Sequence, residues 1–457
     1  MTAFYLMVVV FVIGYILIAT EHSNGLDKAA TALVMAMVMW TLYVVFGKEI
    51  IGLNFSSEFE HFQHLPHHGG LINFIAHNSL MEHLSEVCEI LVFLIGAMSI
   101  VEVVDRYQGF EIITDAIETT KPFVLAWIIF FLSFFLSALL DNLTTTIVMI
   151  ALIRKFTKHQ ETKWLLAAIV VVAANAGGAF SPIGDVTTIM LWIGGQITAA
   201  KIITGIFLPS FVSSIIPTVG ISYMLKKMPP MVAELQHDKV EIPQSIKLTM
   251  LICGVAALVF VPIFKTLTGL PPFMGMLLGL GILWIISDQI RKKHPEDHAF
   301  NAHMKVSDLV KTIDIPTILF FLGILLAVAS LQSAGHLEVL AKWMQSKDLS
   351  VPVMDGAIGV LSSIVDNVPL VAAAMGMYHI SAAGATGELA HFVQDGQFWE
   401  LLAYCAGTGG SILIIGSAAG VAAMGMEKIP FGWYMKKISL WVLIGYFAGM
   451  GLYLVGL

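Results

Sequence analysis

The sequence predicts an all-α integral membrane protein, and three observations support this prediction. Hydrophobic residues make up 57% of the 457 residues and charged residues only 12%, which is too apolar for a soluble globular protein. Apolar runs close to the ~20 residues of one spanning helix recur along the chain. Two acidic-amide pairs, Asp141-Asn142 and Asp366-Asn367, lie inside such runs. A carboxylate at membrane depth is costly and therefore usually functional.

The two acidic pairs belong to an internal repeat. They are 225 residues apart, and each is followed by a glycine-rich segment, residues 175–185 after the first and 407–417 after the second. In both segments a Gly-Gly pair is followed six residues later by another Gly and then a polar residue. We therefore expect two repeats, at residues 1–235 and 245–457, joined by a linker at 236–244.

Two apolar runs do not fit a single crossing. The runs at about 122–153 and 351–378 are too long or too interrupted for one span, and each carries its Asp-Asn pair near the middle. Each is either a bent spanning helix or a re-entrant helical hairpin with Asp-Asn at its tip. The runs at about 164–198 and 398–425 contain the Gly-Gly pairs, which predict broken helices.

The distribution of basic residues favours the hairpins. If both hairpins are re-entrant and the other runs cross once, the chain crosses about ten times, five per repeat. Placing the basic loop at 154–163 inside then puts 19 of the 24 Lys and Arg residues inside, together with the linker. If both runs span instead, that loop lies opposite Arg106 and Lys121. An odd number of crossings inverts the second repeat, as in secondary transporters.

The candidate site consists of oxygen-bearing side chains at the tips and breaks. Carboxylate, amide and hydroxyl oxygens suit a hard cation such as Na⁺ or Li⁺. A buried carboxylate that holds either a proton or a cation gives a physical basis for antiport. We expect Asp141 and Asp185 to be the exchanging pair, with Asp366 as a third member. The cation- and proton-binding candidates are Asp141, Asn142, Thr144, Asn175, Ser181, Asp185, Thr187, Thr188, Ser362, Asp366, Asn367 and Ser411.

The sequence lacks the motifs that would indicate a nucleotide, a metal centre or nucleic acid as a ligand or partner. It contains no Walker motif, so an ion gradient must supply the energy, and we expect a transporter and not an enzyme. The three cysteines are widely spaced in apolar runs and suggest neither a disulfide framework nor a metal site. No cofactor is expected besides the transported Na⁺, Li⁺ and H⁺. The expected partner is the lipid bilayer, and no basic patch indicates nucleic acid.

Four segments resemble the NhaD-type sodium/proton antiporters of the ion transporter superfamily. They are SALLDNLTTTIVM, NAGGAFSPIGDVTTIMLW, EILVFLIGAMSIVEVVD and SSIVDNVP. The resemblance implies an elevator-type transporter with a homodimeric scaffold. It also implies exchange of Na⁺ or Li⁺ for H⁺ across a bacterial inner membrane, for sodium and pH homeostasis. The positions that match the family motif are Asp141, Asn142, Asn175, Asp185, Thr187, Thr188, Ser362, Asn367 and Ser411, and the first four are the expected Na⁺ or Li⁺ ligands. Ser417 stands in the second repeat where the first has Asp185.

Two other functions compete with antiport. Sodium-coupled carboxylate or other anion carriers of the same superfamily resemble this architecture, but they carry Ser-Asn-Thr at the hairpin tips. Here Asp141 and Asp366 occupy the corresponding Ser positions. They would repel a dicarboxylate strongly at low dielectric constant. A passive cation channel would need a continuous polar pathway and no proton coupling, whereas inverted repeats favour alternating access.

Overall fold

Helices make up nearly all of the regular structure in the described part of the chain. A computed structural model describes residues 2–54, 70–112, 117, 119, 121–229, 242–293, 305–309, 313–347 and 349–456. Within these ranges no β-strand forms, and Ser381 and Val393 make one isolated bridge.

The helices divide between the two halves of the chain as follows. The first half contains α1 (Thr2–Ala19), α2 (Glu21–Asn24), α3 (Lys28–Val45), α4 (Gly47–Asn54), α5 (Leu71–Phe74), a π-helical turn (Ile75–Leu80), α6 (Met81–Arg106), α7 (Pro122–Ser137), α8 (Asn142–Phe156), α9 (Gln160–Ala179), α10 (Val186–Ile193) and α11 (Ala199–Leu225). The second half contains α12 (Gln244–Thr268), α13 (Pro272–Lys293), α14 (Val306–Leu309), α15 (Ile315–Ser333), α16 (His336–Gln345), α17 (Val351–Leu361), α18 (Asn367–Met377), a 3₁₀ helix (Gly387–Phe392), α19 (Gln397–Gly409), α20 (Ala418–Glu427), α21 (Phe431–Lys437) and α22 (Ser439–Gly456).

Eight helical stretches among the described residues are long and apolar enough to cross a membrane. They are α3, the stretch Leu71–Arg106, α9, α11, α12, α13, α15 and α22. Helices α1, α7, α8, α17 and α18 are apolar but shorter. The predicted all-helical membrane class is therefore confirmed. The count of about ten crossings, the re-entrant hairpins and the inverted repeats stay predictions.

The chain forms two compact units. The first comprises Met1–Val92, Asp314–Ser350 and Val368–Ile380. At its centre α3 packs on α15, and the indole N–H of Trp40 donates a hydrogen bond of 2.9 Å to the carbonyl oxygen of Leu326. Gly323 permits this approach, because a Cβ there would lie 2.6 Å from the backbone of Ala32. Small residues at such contacts are typical of helix packing in membranes.

The second unit comprises Phe93–Ile313, Val351–Asn367 and Ser381–Leu457. Helix α9 is the core of this unit. Of its most apolar 18-residue stretch 89% is buried, compared with 28% for the corresponding stretch of α12. It contacts α7, α8, α11, α19 and α20. The alanine-rich sequence of α9 lets all these helices pack closely around it. Asn175, one turn before its end, therefore lies in the interior of the unit, with no exposed surface.

Breaks occur inside all four segments singled out in the sequence. The helix pairs α7/α8 and α17/α18 are interrupted at 138–141 and 362–366, directly before Asn142 and Asn367. The pairs α9/α10 and α19/α20 are interrupted at 180–185 and 410–417. Matching serines tie these breaks to the neighbouring helices. Ser137 Oγ donates to the carbonyl oxygen of Ala174 (2.6 Å), and Ser362 Oγ donates to that of Ala406 (2.9 Å).

Matching glycines bring the backbones of these segments together. A Cβ added at Gly177 would overlap the carbonyl oxygen of Phe134, and a Cβ at Gly409 would overlap that of Gly359. The matched contacts support the internal repeat read from the sequence. The repeat boundaries themselves stay a prediction, because most of the predicted linker 236–244 lies outside the described residues and α12 begins at Gln244.

Candidate functional site

The candidate site lies where broken helices begin. Asp141, Asp185 and Ser417 are the N-cap residues of α8, α10 and α20, and the side chain of each accepts a hydrogen bond from a backbone N–H in the first turn. Asp and Ser are preferred caps because their oxygens satisfy backbone N–H groups that the helix leaves free. The positive end of the helix dipole also stabilises a carboxylate there. Local helix chemistry thus places two carboxylates and a hydroxyl at the breaks.

Asp185 is the centre of a buried hydrogen-bond network. Only 2% of it is exposed. Its Oδ2 accepts from Nδ2 of Asn142 at 3.0 Å and from Nδ2 of Asn367 at 3.3 Å, and its Oδ1 accepts from the backbone N–H of Thr187 at 3.0 Å. The two asparagines are the matching residues of the two Asp-Asn pairs. Both halves of the chain therefore supply donors to one carboxylate. A buried carboxylate needs such donors, and hydrogen bonds to its charged oxygens are stronger than those between neutral groups.

Asn175 joins the two halves through its side-chain amide. Its Oδ1 accepts from Nδ2 of Asn142 at 3.1 Å. Its Nδ2 donates to Oγ of Ser411 and to Oγ of Ser417, each at 2.8 Å. The amide thus uses both its acceptor and its donor in side-chain hydrogen bonds. Asn142, Asn175, Asp185, Asn367 and Ser411, all predicted from the sequence, are brought together in this single network.

Asp141 lies beside this network, and within the described part of the chain its carboxylate makes no hydrogen bond to the network residues. Its Oδ1 and Oδ2 accept from the backbone N–H (2.7 Å) and the hydroxyl (2.8 Å) of Thr144. Its backbone has φ 122° and ψ 160°, a conformation that non-glycine residues rarely adopt. Asp141 and Asp366 are both near enough to interact electrostatically with Asp185. Three acidic side chains therefore act on the same small volume.

The other predicted residues hold the breaks in place. Ser181 Oγ donates to the carbonyl oxygen of Ala138 (2.5 Å), in the break that contains Asp141. Thr188 Oγ1 donates to the carbonyl oxygen of Asp185 (2.9 Å) in the first turn of α10. Ser362 makes its hydrogen bond to α19 and is fully buried. Their hydroxyls bond to backbone carbonyls, so in this structure they orient the site from its edges.

Ser417 is part of the network, and the sequence offers it among the oxygen-bearing side chains of the second repeat. Sequence comparison of the repeats marks it as the counterpart of Asp185, but not as a partner of Asn175. Ser417 also accepts from the backbone N–H of Gly420 at 3.1 Å, so it caps α20 and binds the amide at once.

The donor set is suited to a hard cation. Among the described residues, no group of three or more His, Cys, Asp or Glu side chains could hold a metal ion. The network offers instead carboxylate, amide and hydroxyl oxygens, which are the ligands of hard cations and not of soft transition metals. The Asp185 carboxylate at its centre, with Asp141 and Asp366 near it, supplies the negative charge that a cation requires.

Comparison with known proteins gives consistent results. The family model described as citrate transporter (CitMHS) matches residues 15–394. Sodium/proton antiporter 2 of Arabidopsis thaliana is 44% identical, over 98% of this chain and 98% of that protein. Sodium/proton antiporter 1 of the same plant is 46% identical, over 98% of this chain and 72% of that protein.

A bacterial relative and a solved structure extend the comparison. The Na(+)/H(+) antiporter NhaD of Vibrio parahaemolyticus is 32% identical, over 78% of this chain and 86% of that protein. The crystal structure of the YdaH transporter from Alcanivorax borkumensis aligns with a TM-score of 0.54, covering 93% of this chain and 98% of that one. At 13% identity, this likeness concerns the fold alone.

Proposed function

Because the chain belongs to the NhaD-type sodium/proton antiporters of the ion transporter superfamily, we propose that it exchanges Na⁺ or Li⁺ for H⁺ across its membrane. The observation that carries this proposal is the buried network in which Asn142 and Asn367 both donate to Asp185. A single carboxylate surrounded by reorientable amides can accept either a cation or a proton. Mutually exclusive binding of the two is the condition for antiport.

The exchange follows from the chemistry of the amides. Without a cation, the Nδ2 groups of Asn142 and Asn367 stabilise the Asp185 carboxylate. Rotation of either side chain about its last torsion would present Oδ1 in place of Nδ2, supplying an oxygen ligand to Na⁺. When the cation leaves, a proton on Asp185 or Asp141 neutralises the site. The acids alternate between the two ions, and Asn175 keeps the two halves aligned.

The wider transport cycle is also part of the proposal. The breaks before Asn142 and Asn367 support two re-entrant hairpins, and the matched serine and glycine contacts support an internal repeat. We infer inverted repeats, elevator-type movement and a homodimeric scaffold from family membership. A role in sodium and pH homeostasis requires a membrane that maintains a proton gradient. In a bacterium this would be the inner membrane.

The alternative is a sodium-coupled carboxylate carrier, and the description of the matched family model as citrate transporter favours it. Such a carrier would have to bring two or three negative charges close to Asp141 and Asp366. Two unit charges 4 Å apart repel by about 4 kcal/mol at an effective dielectric constant of about 20. The acidic pairs therefore favour cation exchange.

The test uses inside-out membrane vesicles with an acid interior. Addition of NaCl or LiCl is expected to collapse the pH gradient in wild-type vesicles. Asp185→Asn and Asp141→Asn should each raise the half-saturating Na⁺ concentration about a hundredfold or more, because the lost charge interaction is worth several kcal/mol. Glu338→Gln is the control, since this carboxylate is half-exposed and its ion pair among the described residues is with Lys342 one turn away.

Two results would contradict the proposal. One is a wild-type protein that leaves the gradient intact with NaCl, LiCl and KCl at every pH tested, while vesicles take up radiolabelled citrate in a Na⁺-dependent manner. The carrier function would then be correct. The other is a pair of site variants with unchanged Na⁺ response at matched expression, which would place the exchange elsewhere in the protein.

A further inference from the structure

Asp355 is a buried acid outside the cation network. It lies in the middle of α17, has no exposed surface, and neither carboxylate oxygen has a hydrogen-bond partner among the described residues. A buried polar group without a partner costs free energy, and an unpaired buried charge costs far more. Among the described residues, no hydrogen bond of the Asp355 side chain gives it a structural role that would account for a buried acid. The carboxyl is least costly in this environment when it carries a proton.

The surroundings of Asp355 are ionisable but not cationic. Helix α17 packs on α19, and the groups that interact electrostatically with Asp355 are Cys405 on α19 and Tyr446 and Tyr453 on α22. No cationic side chain in the described chain acts on it. A proton, and not a salt bridge, is thus the available means of neutralising Asp355.

Tyr453 connects the surroundings of Asp355 with the protein surface. The hydroxyl of Tyr453 donates to Oε2 of Glu400 at 3.1 Å, and Nζ of Lys201 lies 3.5 Å from Oε1 of the same carboxylate. The Glu400 side chain is 2% exposed, whereas that of Lys201 is 45% exposed. The series Lys201, Glu400 and Tyr453 therefore connects solvent with the neighbourhood of Asp355.

On the other side a small cavity leads to the cation network. Tyr446 lines it together with Thr408 and Ser411, and the remaining walls are Val172, Ala176, Ser213 and Val442. Measured as the space open to the centre of a water molecule, its volume is about 10 Å³, which is room for about one water. Ser411 accepts the hydrogen bond from Asn175. One water here would contact Tyr446, which interacts electrostatically with Asp355, and Ser411, which belongs to the network.

We propose that Asp355 is a second proton-binding site, separate from Asp185, on a route between the Lys201–Glu400 surface and the Ser411 edge of the cation network. The Asp355 proton reaches the cavity water through Tyr446, which lines the cavity. The O–H bond of the Asp355 carboxyl breaks as its proton passes to a lone pair of the Tyr446 hydroxyl oxygen, the former hydroxyl proton of Tyr446 passes to the cavity water, and that water releases a proton towards the network. The Asp355 carboxylate then takes up a proton from the Glu400 side. This role rests on the proposed Na⁺/H⁺ exchange and adds a proton path to it.

The test combines infrared spectroscopy with transport, using Asp355→Asn. Asn has nearly the same shape but cannot titrate. The control is Asp288→Asn, because the Asp288 carboxylate is half-exposed and pairs with Arg291 on its own helix. In saturating Na⁺, where the cation takes the place of a proton at Asp141 and Asp185, we expect purified wild-type protein and the control to show the carbonyl stretch of a protonated carboxylic acid that Asp355→Asn lacks.

Transport gives the second readout. Asp355→Asn is expected to slow Na⁺-driven proton movement at least about tenfold, since a positioned proton-transfer group contributes a factor of about a hundred or more. The slowing should be greatest at high pH, where protons are scarce. The half-saturating Na⁺ concentration should stay unchanged, because the network at Asp185 is intact. The melting temperature should not fall, because no hydrogen bond is lost.

The outcomes separate this proposal from the function on which it rests. An infrared signal that persists in Asp355→Asn would overturn proton binding at this residue. Exchange by Asp355→Asn at the wild-type rate and pH dependence would overturn the proton route while the Na⁺/H⁺ exchange stands. If the wild-type protein itself does not exchange, the proposed function and the route both fail, and the infrared signal alone decides whether Asp355 binds a proton.

Discussion

Two aspartates of the same helix-capping type differ in their backbone conformation. Asp185 has the extended backbone of an ordinary N-cap, whereas Asp141 has φ 122°. A non-glycine residue in such a region costs about 1–3 kcal/mol and persists only when its surroundings hold it there. The hydroxyl and the backbone N–H of Thr144 both donate to the Asp141 carboxylate, and these two hydrogen bonds help to stabilise the conformation. Strain at an acidic residue beside a buried network is consistent with a functional position.

Asn175→Ala should weaken cation binding without removing any charge. The substitution leaves Nδ2 of Asn142 and the hydroxyls of Ser411 and Ser417 without their shared partner. An unsatisfied buried polar group costs about 1–3 kcal/mol, so we expect the half-saturating Na⁺ concentration to rise about tenfold or more. The measurement is Na⁺-dependent collapse of the pH gradient over a range of NaCl concentrations.

The matched control for this prediction is Asn73→Ala, since Asn73 is exposed and remote from the network in sequence. If Asn175→Ala and Asn73→Ala gave the same Na⁺ dependence as the wild type, the amide would not support the cation site.

At the residue scale, the sequence predicted the chemistry of the site better than its contacts. Asp141, Asn142, Asn175 and Asp185 are visible because acidic and amide residues stand out in apolar runs. The bond from Asn175 to Ser417 joins residues 242 apart, which no local pattern encodes. Asp355 was missed although it is also an acid in an apolar run, because no asparagine follows it as Asn142 and Asn367 follow the acids of the two pairs.

At the scale of helices, glycine sets how closely the broken segments approach. Gly177→Ala would place a methyl group against the carbonyl oxygen of Phe134, so α7 and α9 would have to separate. Overpacking of this kind typically costs about 1–3 kcal/mol. We expect a lower melting temperature in detergent and slower exchange, measured by thermal denaturation and the vesicle assay.

Gly281→Ala is the control for this prediction. Gly281 lies inside α13, and a Cβ there would meet nothing within 4 Å. Alanine favours a helix over glycine by about 1 kcal/mol, so this variant should be as stable as the wild type or more so. Equal melting temperatures for the two variants would show that the contact between α7 and α9 tolerates a side chain.

The sequence predicted where helices break but not which helices lie inside. The breaks at 180–185 and 410–417 contain Gly or Pro residues, such as Pro182 and Gly184, whereas those at 138–141 and 362–366 contain neither and were located from their Asp-Asn pairs. Hydropathy misleads about burial, because the core helix α9 is less hydrophobic than α12 and yet is 89% buried, whereas α12 is 28% buried. Lipid is as apolar as a protein core, so the more hydrophobic helix is the one that faces it.

At the scale of the whole molecule, the predicted topology has a direct test. The distribution of basic residues places Lys158 inside and Lys201 outside. In a background with Cys88→Ser and Cys253→Ser, leaving only the buried Cys405, we expect Lys201→Cys to react with an impermeant maleimide added to intact cells. Lys158→Cys should react only in inside-out vesicles.

Labelling of both positions from the same side would contradict this arrangement. The loops at 154–163 and at 194–201 would then lie on one face, and the count of five crossings per repeat would be wrong. The inverted orientation of the repeats depends on that odd number, so it would fail at the same time.

The two predicted repeats differ at one matching position of the network. Identical repeats would present two carboxylates or two hydroxyls at the positions of Asp185 and Ser417. The chain holds one of each, with Ser417 bonded to Asn175 and Asp185 to Asn142. The network is therefore asymmetric although the segments that supply it match. Each half on its own would leave donors or acceptors of the network without partners, so the arrangement depends on both halves being folded together.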